Sequence, residues 1–337
     1  MRTNLKQRGK SFIKRYPSLR RIARTVLNRR STISGTPFFS LGNAFEMLVQ
    51  SLEQNIPNDF DCVIGIPRAG LMFANIIASV YGCPLATPEG FVRGEVWFAS
   101  ECTYSKPFKK VLVVEDSLCT GKQLRAAVDK LADYNPEMTI KTACLFVKTG
   151  RGVQVDYVLL QHKNWTIGEW NLLTSLGFMG RLGSDLDGVL CEDCPMGVDD
   201  DGVRYREWLL HAQPLLIPRF EIEAVVTSRL EKYRVETEAW LKQHGVKYKE
   251  LIMLDLPSAK ERNFKAVVKH KAEAIRQADM EWYWESNWNE AEQIHRKAHV
   301  PVLCVSRMRL IGDRKQQPKI LAVPFNTRQE ASLEVAQ

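Results

Sequence analysis

No apolar run in this 337-residue chain approaches the roughly 20 residues that a bilayer-spanning helix needs, which excludes a membrane-spanning core. The N-terminus also lacks the uninterrupted apolar stretch of a secretory signal, so a cytoplasmic location is expected. Cysteine is not scarce, at eight residues, but it is scattered through expected strands and loops. That fits reduced thiols rather than a disulfide framework. Cys191 and Cys194 form one C-x-x-C, with no second pair at zinc spacing, so no structural metal is expected there. No internal repeat is evident. Acidic residues are missing altogether from residues 1–30, which hold eleven of the 47 Lys and Arg. Subtracting those eleven from the net charge of +8 leaves −3 for the rest of the chain. A nucleic-acid enzyme would carry basic charge across its working domains, so no nucleic-acid partner is expected. The 45% hydrophobic and 26% charged content is that of an ordinary globular chain, long enough for two domains with separate cores.

Within the basic segment, assigned to residues 1–34, Leu19, Ile22, Ala23, Val26 and Leu27 recur at helical spacing. Arg20, Arg21, Arg24, Arg29 and Arg30 surround them, and Pro17 and Ser18 suit a helix start. Such a helix can lie on an anionic membrane surface, each basic residue contributing about 1 kcal/mol near the lipid. A disordered basic arm and a removable targeting peptide share the same character. Residues 31–43 read as a Ser-, Thr- and Gly-rich linker, followed by a helix over 44–54.

The stretch 110–124, KVLVVEDSLCTGKQL, carries the first site. Val111 to Val114 form the apolar run of a strand buried on both faces. Two carboxylates follow, Glu115 and Asp116, then a small-residue loop and an amphipathic helix over 122–133. Backbone N–H groups at a helix start, with Ser and Thr hydroxyls, hold phosphate, and paired carboxylates accept from neighbouring sugar hydroxyls. The Gly121–Lys122 pair resembles the end of a nucleotide P-loop, but that loop needs a glycine where Asp116 stands.

These residues resemble the type I phosphoribosyltransferases, which use phosphoribosyl pyrophosphate (PRPP). The resemblance implies that Glu115 and Asp116 bind the ribose hydroxyls and that Ser117, Leu118, Cys119, Thr120 and Gly121 wrap the 5-phosphate. Lys122 departs from the small residue common after the glycine. One strand earlier, Cys62 to Ile66 leads into P-R-A-G, where Arg68, Ala69 and Gly70 are similar to the family's pyrophosphate loop; a helix over 71–81 follows. Residues 84–108, with Arg93, Lys106 and Lys109, stand where family members carry a mobile closing loop. Strands over 138–147 and 155–161 complete a mostly parallel sheet. After them come Trp165 and GEWNLL (168–173), whose aromatics suit stacking on an acceptor, sealing a domain junction, or core packing.

The second site begins at RLGSDLDGVLCEDCP, residues 181–195. Asp185 and Asp187 at a strand end suit attack on phosphorus by the first carboxylate and proton transfer by the second. The string resembles a calcium loop only superficially, because no EF-hand ligand series follows. It resembles the D-x-D-G motif of the haloacid dehalogenase (HAD) superfamily. That resemblance implies a phosphate-binding role for Thr227 and Ser228 in EAVVTSR and a charge-neutralising role for Lys271, opening a helix, with Lys269 as the alternative. It also implies an acidic fourth motif at Glu285, so that Asp185, Asp187 and Glu285 hold Mg²⁺. Asn287 and Asn289 stand at positions that are often acidic, which weakens the expected metal site. Only about thirty residues separate the strand of Asp187 from that of Thr227, too few for a large cap.

The expected architecture is two α/β domains, each a mostly parallel sheet flanked by helices: 35–178 of phosphoribosyltransferase type and 179–326 of HAD Rossmann-like type with little or no cap. A disordered tail, 327–337, follows. Bacterial fusions of this order imply 5-phosphoribosyl transfer from PRPP with Mg²⁺ on the leaving group, then removal of the 5-phosphate. The expected acceptor is a lipid-linked surface glycan or another hydroxyl compound, with the protein peripheral at the inner face of the cytoplasmic membrane. Synthesis of a free nucleoside-like metabolite and a PRPP-sensing regulator are the alternatives.

Overall fold

β-branched and leucine residues decide where the first sheet forms. Val111, Leu112, Val113 and Val114 have no solvent exposure. Burying each such side chain stabilises by about 1.5–3 kcal/mol, which places their strand at the centre of a sheet. The structure is a computed structural model and describes residues 36–99, 107–118, 120–150 and 154–312. The expectations for the basic N-terminal segment, Cys119, Lys106 and the tail from 327 fall outside these residues. The described chain divides into two units: 41–166, and 36–40 together with 167–312. No helix among the described residues is long and apolar enough to cross a membrane.

The two-residue strand β1 (Phe38–Phe39) belongs to the second unit. The first unit runs α1 (Leu41–Gln54), β2 (Cys62–Gly65), α2 (Ala69–Tyr81), β3 (Leu85–Ala86), α3 (Pro88–Val92), β4 (Lys110–Leu118), α4 (Lys122–Tyr134), β5 (Thr139–Lys148) and β6 (Tyr157–His162). Its five strands are ordered β3-β2-β4-β5-β6, all parallel. Helix α4 buries Leu124, Ala127 and Leu131, one stripe at helical spacing, and leaves its polar face to water. Connections from β2 go one way along the sheet and those from β4 the other. A crevice therefore opens between β2 and β4 at their carboxyl ends.

The second unit continues with β7 (Ile167–Gly168), α5 (Leu176–Met179), β8 (Leu182–Ser184), α6 (Val203–His211), β9 (Ile222–Leu230), α7 (Arg234–Gln243) and β10 (Tyr248–Leu254). It ends with α8 (Phe264–Gln277), β11 (Trp282–Glu285), α9 (Trp288–Ala298), β12 (Val302–Cys304) and β13 (Arg309–Ile311). The sheet order is β10-β9-β8-β11-β12-β13, parallel except for β13. The order reverses between β8 and β11, which opens a second crevice at the ends of those strands. Trp282, Trp284 and Trp240 are fully buried, and the Trp240 Nε1–H donates to the Ala212 carbonyl at 2.7 Å.

The α/β architecture with two largely parallel sheets is the one expected from the sequence. Several local expectations need correction. The expected linker 31–43 contains β1, which pairs in parallel with β7 at a separation that no local signal reveals. Helix α1 starts at Leu41 and α2 at Ala69, earlier than expected. Lys271 lies midway along α8 and does not open it, because Asn263 caps that helix by accepting from the Ala266 N–H at 3.0 Å.

Candidate active sites

At the first crevice, the turn after β2 carries Arg68, with its side chain exposed, and passes Ala69 into the buried Gly70. The Pro67–Arg68 peptide is cis. A Cβ on Gly70 would lie 2.5 Å from the Val114 carbonyl oxygen and 3.3 Å from Glu115 Oε1. Only glycine lets α2 begin directly against the acid pair. The Ile66 N–H donates to the same Val114 carbonyl at 3.0 Å and fixes the turn against β4.

Strand β4 extends through Leu118, so Glu115 and Asp116 are strand residues and the loop is shorter than expected. Both are buried, at 5% and 7% exposure. Glu115 Oε1 accepts from the Asp116 N–H at 3.1 Å, and the Ser117 hydroxyl donates to Asp116 Oδ2 at 3.3 Å. Burial, reinforced by Asp116, pushes the Glu115 carboxyl up to about 8, so near neutral pH it keeps its proton. Leu118 points into the core and offers only backbone. Thr120 is exposed; its hydroxyl oxygen accepts from the Lys122 N–H at 3.4 Å, and its carbonyl accepts from Arg125 at 2.9 Å. Gly121 caps the start of α4. Arg68, Ala69, Gly70 and the described residues of 115–121 thus gather at one crevice, with a helix N-terminus beside two carboxyls.

Farther along the same sheet edge, Lys148 ends β5 and its Nζ lies 4.6 Å from the centroid of the Trp165 ring. Arg93, from the expected mobile loop, instead pairs with Glu95 at 2.8 Å.

At the second crevice, Asp185 follows β8 and is almost fully buried. Its Oδ1 accepts from the Leu186 N–H at 2.8 Å and its Oδ2 from Lys271 Nζ at 2.6 Å. Lys271 also donates to Glu285 Oε2 and Glu290 Oε2, both at 2.8 Å. Burial opposes its charge, but these carboxylates raise its pKa well above the usual lysine value. Burial and the Glu285 charge push Asp185 up, against the pull of Lys271. Lys269, the alternative, is exposed. Gly188 has φ +73°, and a Cβ there would meet the Ser286 hydroxyl at 2.4 Å. The Asp-Leu-Asp-Gly turn therefore presses directly against the end of β11.

Asp187 is held by Arg229: Nη2 lies 2.6 Å from Oδ1, and Nε lies 3.0 and 3.1 Å from Oδ1 and Oδ2. Arg229 is completely buried, and its Nη1 has no hydrogen-bond partner among the described residues. Thr227 is also fully buried and its hydroxyl oxygen accepts from the Arg229 N–H at 3.1 Å; Ser228 is half-buried.

Asp185, Asp187 and Glu285, the expected Mg²⁺ ligands, all lie at this crevice. The oxygens are taken by protein donors: Lys271 and Leu186 N–H on Asp185, Arg229 on Asp187, and Lys271 with the Ser286 and Asn287 N–H groups on Glu285. Asn287 caps α9 instead of standing in for an acid.

Two residues in this cluster were not anticipated. Glu290 lies one turn into α9, five residues after Glu285, a spacing that returns its carboxylate to the strand end. Arg229 was legible in principle: it alternates with Ser228 on a strand and so faces inward with Thr227, where a charge requires a partner.

The phosphoribosyl transferase domain family matches residues 41–172. Among solved structures, the chain is similar to a purine phosphoribosyltransferase from Pyrococcus horikoshii Ot3, at 20% identity, covering 42% of this chain and 97% of that one, with TM-score 0.33. It is similar to the Helicobacter pylori xanthine-guanine-hypoxanthine phosphoribosyltransferase at 19% identity, over 41% and 94% of the two chains, with TM-score 0.32. A Pnkp1/Rnl/Hen1 complex is matched over 83% of this chain and 89% of that one, at 14% identity and TM-score 0.26. No curated protein matches the chain. The family match covers the crevice of Arg68 and Glu115 and stops before that of Asp185.

Proposed function

We propose that the chain makes a ribofuranosyl product in two steps, the phosphoribosyl transferase domain acting first and the second unit removing the 5-phosphate. In the first step an acceptor hydroxyl displaces pyrophosphate from PRPP. Glu115 and Asp116 take the ribose hydroxyls, Arg68 to Gly70 take the pyrophosphate, and the described residues of 117–121 take the 5-phosphate. Negative charge at Glu115 and Asp116 favours the oxocarbenium-like transition state.

The second step is that of a HAD-type phosphatase, and one observation carries it. Lys271 is held by Asp185 and Glu285 at the carboxyl ends of β8 and β11. This gives a carboxylate nucleophile and a fixed cation in one crevice, where Lys271 would neutralise an arriving phosphate as Asp185 attacks it. Asp187 protonates the departing 5-oxygen and then takes a proton from the water that hydrolyses the aspartyl phosphate to release inorganic phosphate, and Thr227 and Ser228 line the phosphate site. Asp185, Asp187 and Glu285 would hold Mg²⁺, which when bound would offset phosphate charge.

Removal of the 5-phosphate points away from nucleotide salvage, which keeps that group, and toward an acceptor that must end as a plain ribofuranoside. A lipid-linked bacterial surface glycan fits, with the basic N-terminal segment on an anionic membrane. The cation over Trp165 favours a second reading, in which the acceptor is a heteroaromatic base stacked on the indole with Lys148 at its edge. The two readings separate on incubation with PRPP, Mg²⁺ and either a membrane lipid extract or a panel of bases. Ribosylated lipid supports the first reading, and a free nucleoside the second.

A further inference from the structure

On the second unit, two arginines share one tryptophan. The Arg307 guanidinium carbon lies 4.7 Å from the Trp288 ring centroid and that of Arg309 lies 5.6 Å away. Met308 between them is in the left-handed region, φ 43°, and is packed against the core. Few side chains adopt that conformation, and here it reverses the chain so that both neighbours reach the same indole. Stacking fixes a guanidinium plane while leaving its N–H donors free at the edge, the arrangement that suits bidentate phosphate binding. Both arginines are exposed, and among the described residues neither forms an ion pair.

Their position matters as much as their charge. Arg307 lies at the carboxyl end of β12, and Arg309 pairs with Cys304 there. The Ser306 hydroxyl donates to the Ser286 carbonyl at 2.6 Å, and the Cys304 thiol donates to the same carbonyl at 3.4 Å. Ser286 in turn donates its N–H to Glu285 at 2.9 Å and its hydroxyl to the Asp187 carbonyl at 3.5 Å. The arginine turn is therefore tied to the Asp185 crevice through one residue. Asp185, Asp187, Glu285 and Glu290 already have a cation, Lys271 or Arg229, and Asp193 beside Gly188 forms no ion pair among the described residues, so none of these carboxylates engages the two arginines and both remain available to an incoming anion.

We propose that Trp288, Arg307 and Arg309 form a second anion subsite at the rim of the Asp185 crevice, taking a further phosphate ester carried by the phosphatase substrate. This rests on the phosphatase reading above. The subsite would make the second unit favour a phosphoribosylated acceptor that bears its own phosphate over a simple sugar phosphate.

The test compares the full chain with its Arg307→Gln/Arg309→Gln variant. Phosphate release is followed from ribose 5-phosphate and from ribose 1,5-bisphosphate, and binding of inorganic pyrophosphate is followed by calorimetry. The parent should prefer the bisphosphate by about tenfold or more in kcat/KM, through KM, and the variant should lose that preference. The parent should also bind one more equivalent of pyrophosphate than the variant. Equal preference in the two proteins overturns the proposal, even if pyrophosphate binding differs, since that would mark a site for the free ion only. If the parent hydrolyses neither sugar phosphate, the phosphatase reading falls instead. Calorimetry then decides whether an anion site exists, and equal stoichiometry would reject it.

Discussion

The guanidinium of Arg229 closes on the carboxylate of Asp187 through three contacts of 2.6 to 3.1 Å, with the arginine fully buried and the aspartate side chain 20% exposed. Removing one partner strands the other charge in a low-dielectric interior, which costs about 3–5 kcal/mol. Arg229→Met is therefore expected to lower the stability of the second unit by that order. The double variant Arg229→Met/Asp187→Asn is expected to recover more than half of the loss. Urea unfolding followed by tryptophan fluorescence checks this. A double variant as unstable as the single one would show that the pair is not the source of the loss.

Glu115 supplies a pH prediction. Its carboxyl is raised to about 8 by burial first and by Asp116 second, so it is protonated at neutral pH and ionises as pH rises. In the proposed transfer the ionised pair accepts from sugar hydroxyls and favours a cationic transition state. The kcat/KM for PRPP is therefore expected to rise between pH 7 and 9, roughly half-way near 8, since this parameter reports the free enzyme. In Glu115→Gln that rise should vanish and the plateau rate should fall about 10²–10³-fold. An unchanged profile in the variant would assign the titration to another group.

The parts legible in the sequence are those written in short contiguous runs. Four apolar residues followed by Glu115 and Asp116 specify a central strand and its polar end without help from the rest of the chain. Asp185 and Asp187 are legible for the same reason. Lys271 against Lys269 is not settled locally, because both lie on α8 and only packing decides which one turns inward. Glu290 and Arg229 belong to the cluster through a helix turn and a strand register, each a step beyond the motif residues. The pairing of β1 with β7 brings together residues 129 positions apart, Phe38 and Ile167, and no local composition encodes it.

Residues 1–30 hold an excess of positive charge and none of the residues named in either crevice. In the membrane reading their deletion should leave PRPP turnover on a water-soluble acceptor within about twofold of the parent, because they hold none of the residues of the PRPP crevice. It should abolish flotation with vesicles containing anionic lipid. For the intact chain, binding should weaken with salt as the Debye length shortens to about 3 Å at 1 M. An intact chain that ignores anionic vesicles at low salt would remove this support for a membrane acceptor and favour a soluble one.

The measurement that reaches the central claim is the mass of the product made by Asp185→Asn beside that made by the parent, each given PRPP, Mg²⁺ and acceptor. In the proposed reading Asp185 is the nucleophile of the second step and has no part in the first, so its loss should slow phosphate release by about 10⁴-fold or more while pyrophosphate release continues. The parent's product should be the acceptor plus a ribosyl group, and the variant's should be the acceptor plus a phosphoribosyl group. Identical products from the two proteins, or loss of pyrophosphate release in the variant, would contradict two successive reactions in two separate crevices.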